Sequence, residues 1–230
     1  MIAEEAVDRA LYGAYRMQLR EELIPFVAFV KKQNPKTFIE IGYGRGETLD
    51  ALTRVLPNTN FLEITFPYMD WTWKEGLLIS LFKKLPSFVV RPLLPLLKRK
   101  LHGIYIFTKI RHDPQYKNVV MMFADSHKEP SFKRAINWFG KTDFLFIDGD
   151  HSYDGVKADW ELFKNIVNED GYIAFHDVVG NTTPGVVKFW NEIQKRNEVV
   201  KIISAKKDPK GFGIIKWRGN GVQNSNGKGD

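Results

Sequence analysis

The sequence contains no cysteine among its 230 residues. This absence excludes disulfide bonds, thiolate metal ligands and cysteine nucleophiles, and it is compatible with a reducing compartment. No uncharged run approaches the ~20 apolar residues that are needed to cross a bilayer, so we expect no transmembrane helix. The first nine residues are too acidic and too weakly apolar for a signal peptide. We therefore expect a cytoplasmic protein.

Net positive charge is confined to one segment. Between Asp70 and His112 there are nine basic residues against Asp70 and Glu75, which accounts for the whole formal charge of +7. The rest of the chain is neutral, which weakens a general interpretation as a nucleic-acid-binding protein. The hydrophobic fraction of 43% and the charged fraction of 27% are ordinary for a globular protein. We expect one domain over residues 1–217, followed by a flexible tail at 218–230.

Short apolar runs alternate with helical stripes along the chain. This alternation at the spacing of βαβ units predicts an α/β fold with a mainly parallel sheet. A stripe formed by Leu23, Phe26, Val27 and Val30 predicts a helix that carries Pro25 in its first turn. The predicted strands are 37–41, 60–66, 119–124, 144–147, 172–175, 199–204 and 213–217. The other predicted helices are 1–19, 48–56, 131–139, 156–167 and 186–196.

Residues 68–112 form a predicted helical insert after the second strand. Leu, Phe and Trp clusters flanked by basic residues predict short amphipathic helices, which would contact a membrane surface through residues 70–112 or cover an anionic substrate. A helical cap with a solvated basic face explains the same pattern equally well. Nucleic-acid binding through Trp71 and Trp73 is a weaker alternative.

A glycine loop follows the first predicted strand. Gly42, Gly44 and Gly46 allow a tight turn in which backbone N–H groups approach a ligand at the start of a helix. The Gly-x-Gly-x-Gly spacing differs from the Gly-x-Gly-x-x-Gly of dinucleotide folds, which disfavours an oxidoreductase. Glu40, at the end of this strand, could hold a hydroxyl or an ammonium group of a nucleoside-type ligand. A turn without a ligand is the alternative.

Acids and histidines follow two later apolar runs. Asp148, His176 and Asp177 are suitable ligands for a divalent cation, although an imidazole suits Mn, Fe, Co or Zn better than Mg or Ca. His151 has the near-neutral pKa that suits a general base. The alternative is that residues 150–154 only cap a helix and that 176–177 only form a turn. We favour a functional site because all these groups come together at the ends of two strands.

Four sequence blocks together resemble class I S-adenosylmethionine-dependent methyltransferases. They resemble in particular the small O-methyltransferases grouped with macrolide-sugar and cephalosporin-biosynthesis enzymes. The resemblance covers residues 23–64 and 119–215. The blocks are Asn-Pro-Lys-Thr-Phe-Ile-Glu-Ile-Gly-Tyr-Gly-Arg-Gly at 34–46, Ala-Asp-Ser-His at 124–127, Phe-Leu-Phe-Ile-Asp-Gly-Asp-His-Ser-Tyr-Asp-Gly-Val at 144–156 and Asp-Gly-Tyr-Ile-Ala-Phe-His-Asp at 170–177.

The resemblance implies a Rossmann-like, doubly wound sheet of seven strands with S-adenosylmethionine over the glycine loop. The three glycines would surround the methionine part, and Asp125 and Ser126 would lie near the adenine. In metal-dependent relatives, the positions that match Asp148, His176 and Asp177 hold the cation, here Mg or Mn. The position that matches His151 is the base.

The sequence departs from this family after the second strand. The family usually carries an acid there for the ribose hydroxyls, whereas this chain has Thr65. Glu63 lies on the same face of the strand and could substitute for that acid. We include Thr65, Glu63, Glu40 and Asp148 among the candidate cofactor-binding residues.

These observations favour an S-adenosylmethionine-dependent O-methyltransferase assisted by a divalent cation. Its acceptor would be a small molecule, with the hydroxyl on a sugar, a glycolipid or a secondary metabolite. The alternative, favoured by Thr65, is a non-catalytic membrane- or partner-binding module on a degenerate methyltransferase fold. An oligomer is compatible with either hypothesis, and a membrane contact would be peripheral.

Overall fold

The computed structural model describes residues 1–12, 17–65, 85–86, 89 and 110–219. The predicted insert at 68–112 and the predicted tail therefore lie mostly outside the described residues. The described α-helices are α1 (Ala3–Leu11), α2 (Arg20–Gln33), α3 (Glu47–Val55), α4 (Glu129–Phe139), α5 (Tyr153–Phe163) and α6 (Pro184–Ile193). The strands are β1 (Thr37–Ile41), β2 (Asn60–Thr65), β3 (Val119–Phe123), β4 (Thr142–Ile147), β5 (Val167–His176), β6 (Glu198–Ile203) and β7 (Phe212–Lys216).

The strands form one sheet in the order β3-β2-β1-β4-β5-β7-β6. Strands β1 to β5 pair in parallel, and β7 runs antiparallel to both β5 and β6. This arrangement confirms the predicted α/β, Rossmann-like sheet of seven strands. In the register, Ile41 at the end of β1 is level with Ile64 and Ile147. The end of β2 and the loops that follow β1 and β4 therefore meet at one edge of the sheet, where α/β proteins bind ligands.

Helices cover both faces of the sheet because alternate strand residues point to opposite sides. Phe38 and Phe144 lie on the face that packs against α1, α2 and α3, whereas Ile39 and Leu145 lie on the face that packs against α4, α5 and α6. Phe26 of α2 stacks on Phe212 of β7 at 4.3 Å between ring centroids. Each fully buried side chain of this size stabilises the fold by about 1.5–3 kcal/mol. This packing fixes the strand ends on which the site depends.

Three predicted details were wrong. The first helix ends at Leu11 and not at residue 19, so residues 17–19 are a loop. Pro25 lies in the second turn of α2 because this helix already begins at Arg20, although the predicted apolar stripe is buried. Val167, assigned to a helix on its spacing, begins β5 and pairs with Thr142. The β-branched Val167 suits this strand position, and a 3-10 turn over Lys164–Ile166 separates it from α5.

None of the helices in the described part of the chain has the length and apolarity required to span a bilayer. Arg218, the first residue of the predicted tail, forms ion pairs with Glu198 and Asp170. These contacts tie the end of β7 to β6 and to the irregular start of β5.

Candidate active site

A cavity of about 590 Å³ opens at the edge of the sheet where the loops after β1, β3, β4 and β5 meet. All of the predicted site residues except Glu63 line it. They are Glu40, Gly42, Gly44, Gly46, Thr65, Asp125, Ser126, Asp148, His151, His176 and Asp177. The structure thus brings the predicted cofactor residues and the predicted cation and base residues into one cavity.

The glycine loop forms one wall and depends on backbone conformations that favour glycine. Gly42, Gly44 and Gly46 have φ angles of 99°, 50° and 72°. A Cβ atom at Gly42 would lie 2.0 Å from the carbonyl oxygen of Asp148, so this glycine lets the β4 loop approach β1. A Cβ atom at Gly44 would meet only the sulfur of Met17, at 3.9 Å. The need for glycine at position 44 is therefore conformational.

Met17 and Gln18 form a short strap that lines the cavity next to the glycine loop. The backbone N–H groups of both residues donate to the carboxylate of Glu47, at 3.2 and 2.8 Å to Oε2. Gln18 Nε2 donates to Asp148 Oδ2 at 3.1 Å, and Lys210 Nζ donates to the carbonyl oxygen of Met17. Sequence reasoning missed these residues because it placed 17 and 18 in a helix and had no signal linking Glu47 to them.

Asp148, His151 and Asp177 offer donor atoms that all lie within 4.8 Å of one another. Two carboxylates suit both Mg and Mn, and an imidazole beside them favours Mn over Mg. Asp177 Oδ1 is buried and receives no hydrogen bond from the described residues. The structure thus places His151 beside the predicted ligand positions, and the two carboxylates fit a divalent cation.

His176 lies beneath this cluster, buried between the two acids. Its Nδ1 is 3.2 Å from Asp148 Oδ1 and 3.3 Å from Asp177 Oδ2. Burial lowers the pKa of His176, but the two carboxylates more than offset this effect and raise its pKa to about 10. Burial likewise opposes ionisation of Asp148, yet the neighbouring His176 and His151 hold the pKa of Asp148 below its usual range. The cluster is therefore a network of opposite charges.

His151 reaches the same two acids from the exposed side. Its Nε2 is 3.5 Å from Asp148 Oδ1 and 3.4 Å from Asp177 Oδ2, and the interaction with Asp148 raises its pKa. The helix-capping alternative holds for its neighbours, since Ser152 Oγ accepts from the backbone of Gly155 and Asp150 accepts from the backbone of Ser152. Unlike these capping residues, His151 joins the acid cluster.

At the other end of the cavity, Asp125, Ser126 and His127 form the loop after β3. Asp125 Oδ1 accepts from the backbone N–H of His127 at 3.0 Å. Asp159 of α5 is fully buried behind this loop, and its Oδ1 lies 3.6 Å from His127 Nε2. Burial raises the pKa of Asp159 to about 6, and the nearby Ser126 and His127 oppose this shift. Sequence reasoning missed Asp159 because, along the chain, it lies in the middle of a helix and does not follow a strand.

Glu63 does not reach the cavity. It is fully buried in β2, directly opposite Glu40 of β1, whereas Thr65 at the end of β2 lines the wall. The acid that the sequence offered as a substitute for the ribose-binding group thus lies behind Glu40.

Comparison with known proteins agrees with this architecture. The family profile described as "Methyltransferase domain" matches residues 39–178. An uncharacterized protein of Acanthamoeba polyphaga mimivirus is 39% identical over 74 residues, which are 32% of this chain and 31% of that protein. The chain thus matches about a third of that curated relative.

Three solved structures share the fold at low sequence identity. A Staphylococcus aureus protein described as a caffeoyl-CoA O-methyltransferase has a TM-score of 0.59 at 13% identity. The match covers 94% of this chain and 92% of the Staphylococcus aureus chain. MycE methyltransferase of the mycinamycin biosynthetic pathway, in complex with Mg, SAH and mycinamycin VI, has a TM-score of 0.56 at 13% identity. The match covers 100% of this chain and 57% of the MycE chain. SAH-bound Podospora anserina methyltransferase PaMTH1 has a TM-score of 0.54 at 12% identity. The match covers 94% of this chain and 86% of the PaMTH1 chain.

The fold and the glycine-loop cavity define a class I methyltransferase architecture. Since the family profile covers more than half of its length, the chain belongs to the methyltransferase domain family, whose class I members are S-adenosylmethionine-dependent enzymes. The alternative of a non-catalytic module is not favoured, because Thr65, on which it rested, lines a cavity that also holds the polar cluster.

Proposed function

We propose that this protein transfers a methyl group from S-adenosylmethionine to a hydroxyl oxygen of a small acceptor, with a divalent cation assisting. The observation that carries the proposal is that His151, Asp148 and Asp177 converge in the same cavity as the glycine loop. The MycE complex supports it, because Mg, SAH and mycinamycin VI are bound together in one protein of this fold. A sugar, a glycolipid or a secondary metabolite is the proposed acceptor.

The cofactor half of the cavity is assigned to the glycine loop and to the ends of β1, β2 and β3. Gly42, Gly44 and Gly46 let the backbone approach the methionine part, and Glu40 offers a carboxyl group to the ammonium. Thr65 lies where a ribose hydroxyl is expected, and Asp125 and Ser126 lie where the base is expected. These residues position the methyl group, and positioning is a main contribution of an enzyme to a direct displacement.

The acceptor half is assigned to His151. When its Nε2 carries the hydrogen that faces Asp148 and Asp177, Nδ1 is the nitrogen that accepts the proton of the acceptor hydroxyl. The carboxylates stabilise the imidazolium that results, since both lie within 3.5 Å of Nε2. Loss of that proton makes the hydroxyl oxygen nucleophilic enough to take the methyl group.

Asp148 and Asp177 would hold the cation. His176, the third predicted ligand, lies beneath them and would have to lose the proton that its raised pKa retains before it could bind the cation. A bound Mg or Mn would lower the pKa of an acceptor hydroxyl and orient it. His151 lies within the same group of donor atoms. The base and the cation would therefore act on one acceptor oxygen.

Cofactor binding is tested by calorimetry with S-adenosylhomocysteine. We expect binding to the wild type and its loss in Gly44→Asp, because position 44 has φ 50° and the new carboxylate enters the cavity. Gly140→Asp is the matched control, since Gly140 also has a positive φ of 66° but has open space around its Cβ position. No binding of millimolar ligand to the wild type would refute the proposal.

The role of His151 is tested by His151→Ala in a screen of hydroxylated acceptors. We expect methyl transfer to fall by about 10²–10⁴-fold, the usual contribution of a general base, while S-adenosylhomocysteine binding is retained. Unchanged turnover in this variant would exclude His151 as the base.

A further inference from the structure

Two glutamates face each other beneath the cavity. Glu40 and Glu63 are register partners in the neighbouring parallel strands β1 and β2, so their side chains lie on the same face of the sheet. Both are buried, with exposed fractions of 1% and 0%. Glu40 lines the cavity and Glu63 does not.

This pair has no donor to satisfy it when both groups are ionised. Neither oxygen of Glu63, nor Oε2 of Glu40, receives a hydrogen bond from the described residues. Within that same part of the chain, the other charge that acts on Glu40 is the negative charge of Asp148. Two adjacent carboxylates without water or a cation repel each other, whereas a proton on one of them supplies the missing donor.

The electrostatics of the pair agree with this geometry. Burial, followed by the charge of Glu63, raises the pKa of Glu40 well above its usual range. Burial also raises the pKa of Glu63 to about 8. The pair therefore retains at least one proton at neutral pH in the free protein.

We infer that Glu63 keeps a proton on the Glu40–Glu63 pair in the free protein, and that binding of the cofactor's cationic ammonium group at Glu40 releases this proton to solvent. The inference rests on the proposed function, in which Glu40 faces that ammonium. Glu63 is then a positioning residue that sets the protonation state of Glu40 without touching the cofactor. This role replaces the direct contact that the sequence suggested for Glu63.

Proton release is measured by titrating S-adenosylhomocysteine into the full chain at pH 7.5 in two buffers with different ionisation enthalpies. We expect the wild type to release roughly one proton, and its association constant to rise by up to about tenfold per pH unit between pH 6 and 8. In Glu63→Gln the amide can donate to an ionised Glu40. Binding should then persist, with little proton release and a flat pH dependence.

Two further variants complete the test. Glu40→Gln removes the group that faces the ligand, so both affinity and proton release should fall, and it serves in place of Glu63→Gln if that variant does not fold. Glu129→Gln is the matched control, because this glutamate is exposed and should leave proton release unchanged.

The possible failures are distinguishable. Absence of any ligand binding to the wild type would overturn the proposed function and, with it, the inference. Binding without proton exchange in the wild type would overturn the inference alone. Undiminished proton release in both Glu63→Gln and Glu40→Gln would do the same, because the proton would then come from another group.

Discussion

Two groups of largely buried acids lie in or beneath one cavity, in opposite electrostatic surroundings. Asp148 and Asp177 each lie within 3.5 Å of the two histidines at positions 151 and 176. Glu40, by contrast, faces Glu63 and receives no balancing cation from the described residues. The pKa of Glu40 is raised and that of Asp148 is lowered although both side chains are largely buried, so neighbouring charges set the direction of the shift. The carboxylates of the network of opposite charges can bind a cation, whereas the Glu40–Glu63 pair retains a proton.

The largest expected effect comes from breaking the network of opposite charges with Asp148→Asn. This change leaves the protonated, buried His176 with one carboxylate in place of two. We expect a loss of about 2 kcal/mol in the free energy of unfolding, since removing one partner strands a buried charge. Urea unfolding measures this loss, and Mn binding followed by paramagnetic resonance should fall at least tenfold.

Asp154→Asn is the control for this prediction. It makes the same chemical change in the same segment, but Asp154 is exposed at the start of α5. We expect it to change stability by less than about 0.5 kcal/mol. Equal losses in the two variants would show that the network around Asp148 carries no special stability.

The second-largest effect is expected for the Glu40–Glu63 pair, in the pH dependence of stability. Glu63 has its pKa raised from 4.5 to about 8, so between these values the unfolded chain loses its proton while the folded chain keeps it. The ionisation of Glu63 therefore lowers the stability of the wild type as pH rises from 5 to 8. The variant Glu63→Gln has no ionisable group at position 63 and escapes this loss. We expect the variant to gain at least about 1 kcal/mol relative to the wild type over this range, measured by urea unfolding at both pH values.

The network of opposite charges should behave differently over the same range. The contribution of His176, whose pKa is raised from 6.5 to about 10, is present below 6.5 and is lost as pH rises towards 10. That of Asp148 is lost only as pH falls below its ordinary value of 3.8. The deficit of Asp148→Asn should therefore stay constant between pH 5 and 6.5 and shrink as pH rises towards 10. A deficit that disappeared at pH 8 would contradict this account.

The sequence predicted the parts of the site that lie at strand ends. Apolar runs that stop at Asp148 and at His176 placed both groups at one edge of the sheet, because parallel strands share a direction. The same logic failed for Glu63, since alternation alone gives the face of a strand and not the depth of a side chain below its rim. It also missed Gln18 and Asp159, which reach the site through tertiary packing that no local pattern encodes.

Asp159 is a third buried acid near the cavity, and its contribution to ligand binding can be measured by substitution. Burial raises its pKa to about 6, and Ser126 and His127 are its polar neighbours. We expect Asp159→Asn to weaken S-adenosylhomocysteine binding about fivefold, or about 1 kcal/mol, because both neighbours line the base end of the cavity and lose a charged partner. Calorimetry measures this change, with the exposed Asp154→Asn on the same helix as the control. Unchanged affinity would show that Asp159 does not orient this loop.

The smallest effect is expected at Glu47, whose carboxylate is buried but, unlike that of Glu63, receives backbone hydrogen bonds. Met17 and Gln18 donate to it, and Gln18 in turn donates to Asp148. Glu47→Gln turns part of that acceptor into a donor, so the strap should loosen and ligand binding should weaken about threefold. Hydrogen exchange at the amides of residues 17 and 18 should accelerate, while Glu21→Gln, an exposed change on α2, leaves it unaltered. The strap is hydrogen-bonded to Asp148, in the network of opposite charges. Proton release from the Glu40–Glu63 pair on binding should therefore persist in Glu47→Gln. Its loss would show that the two groups of acids are coupled.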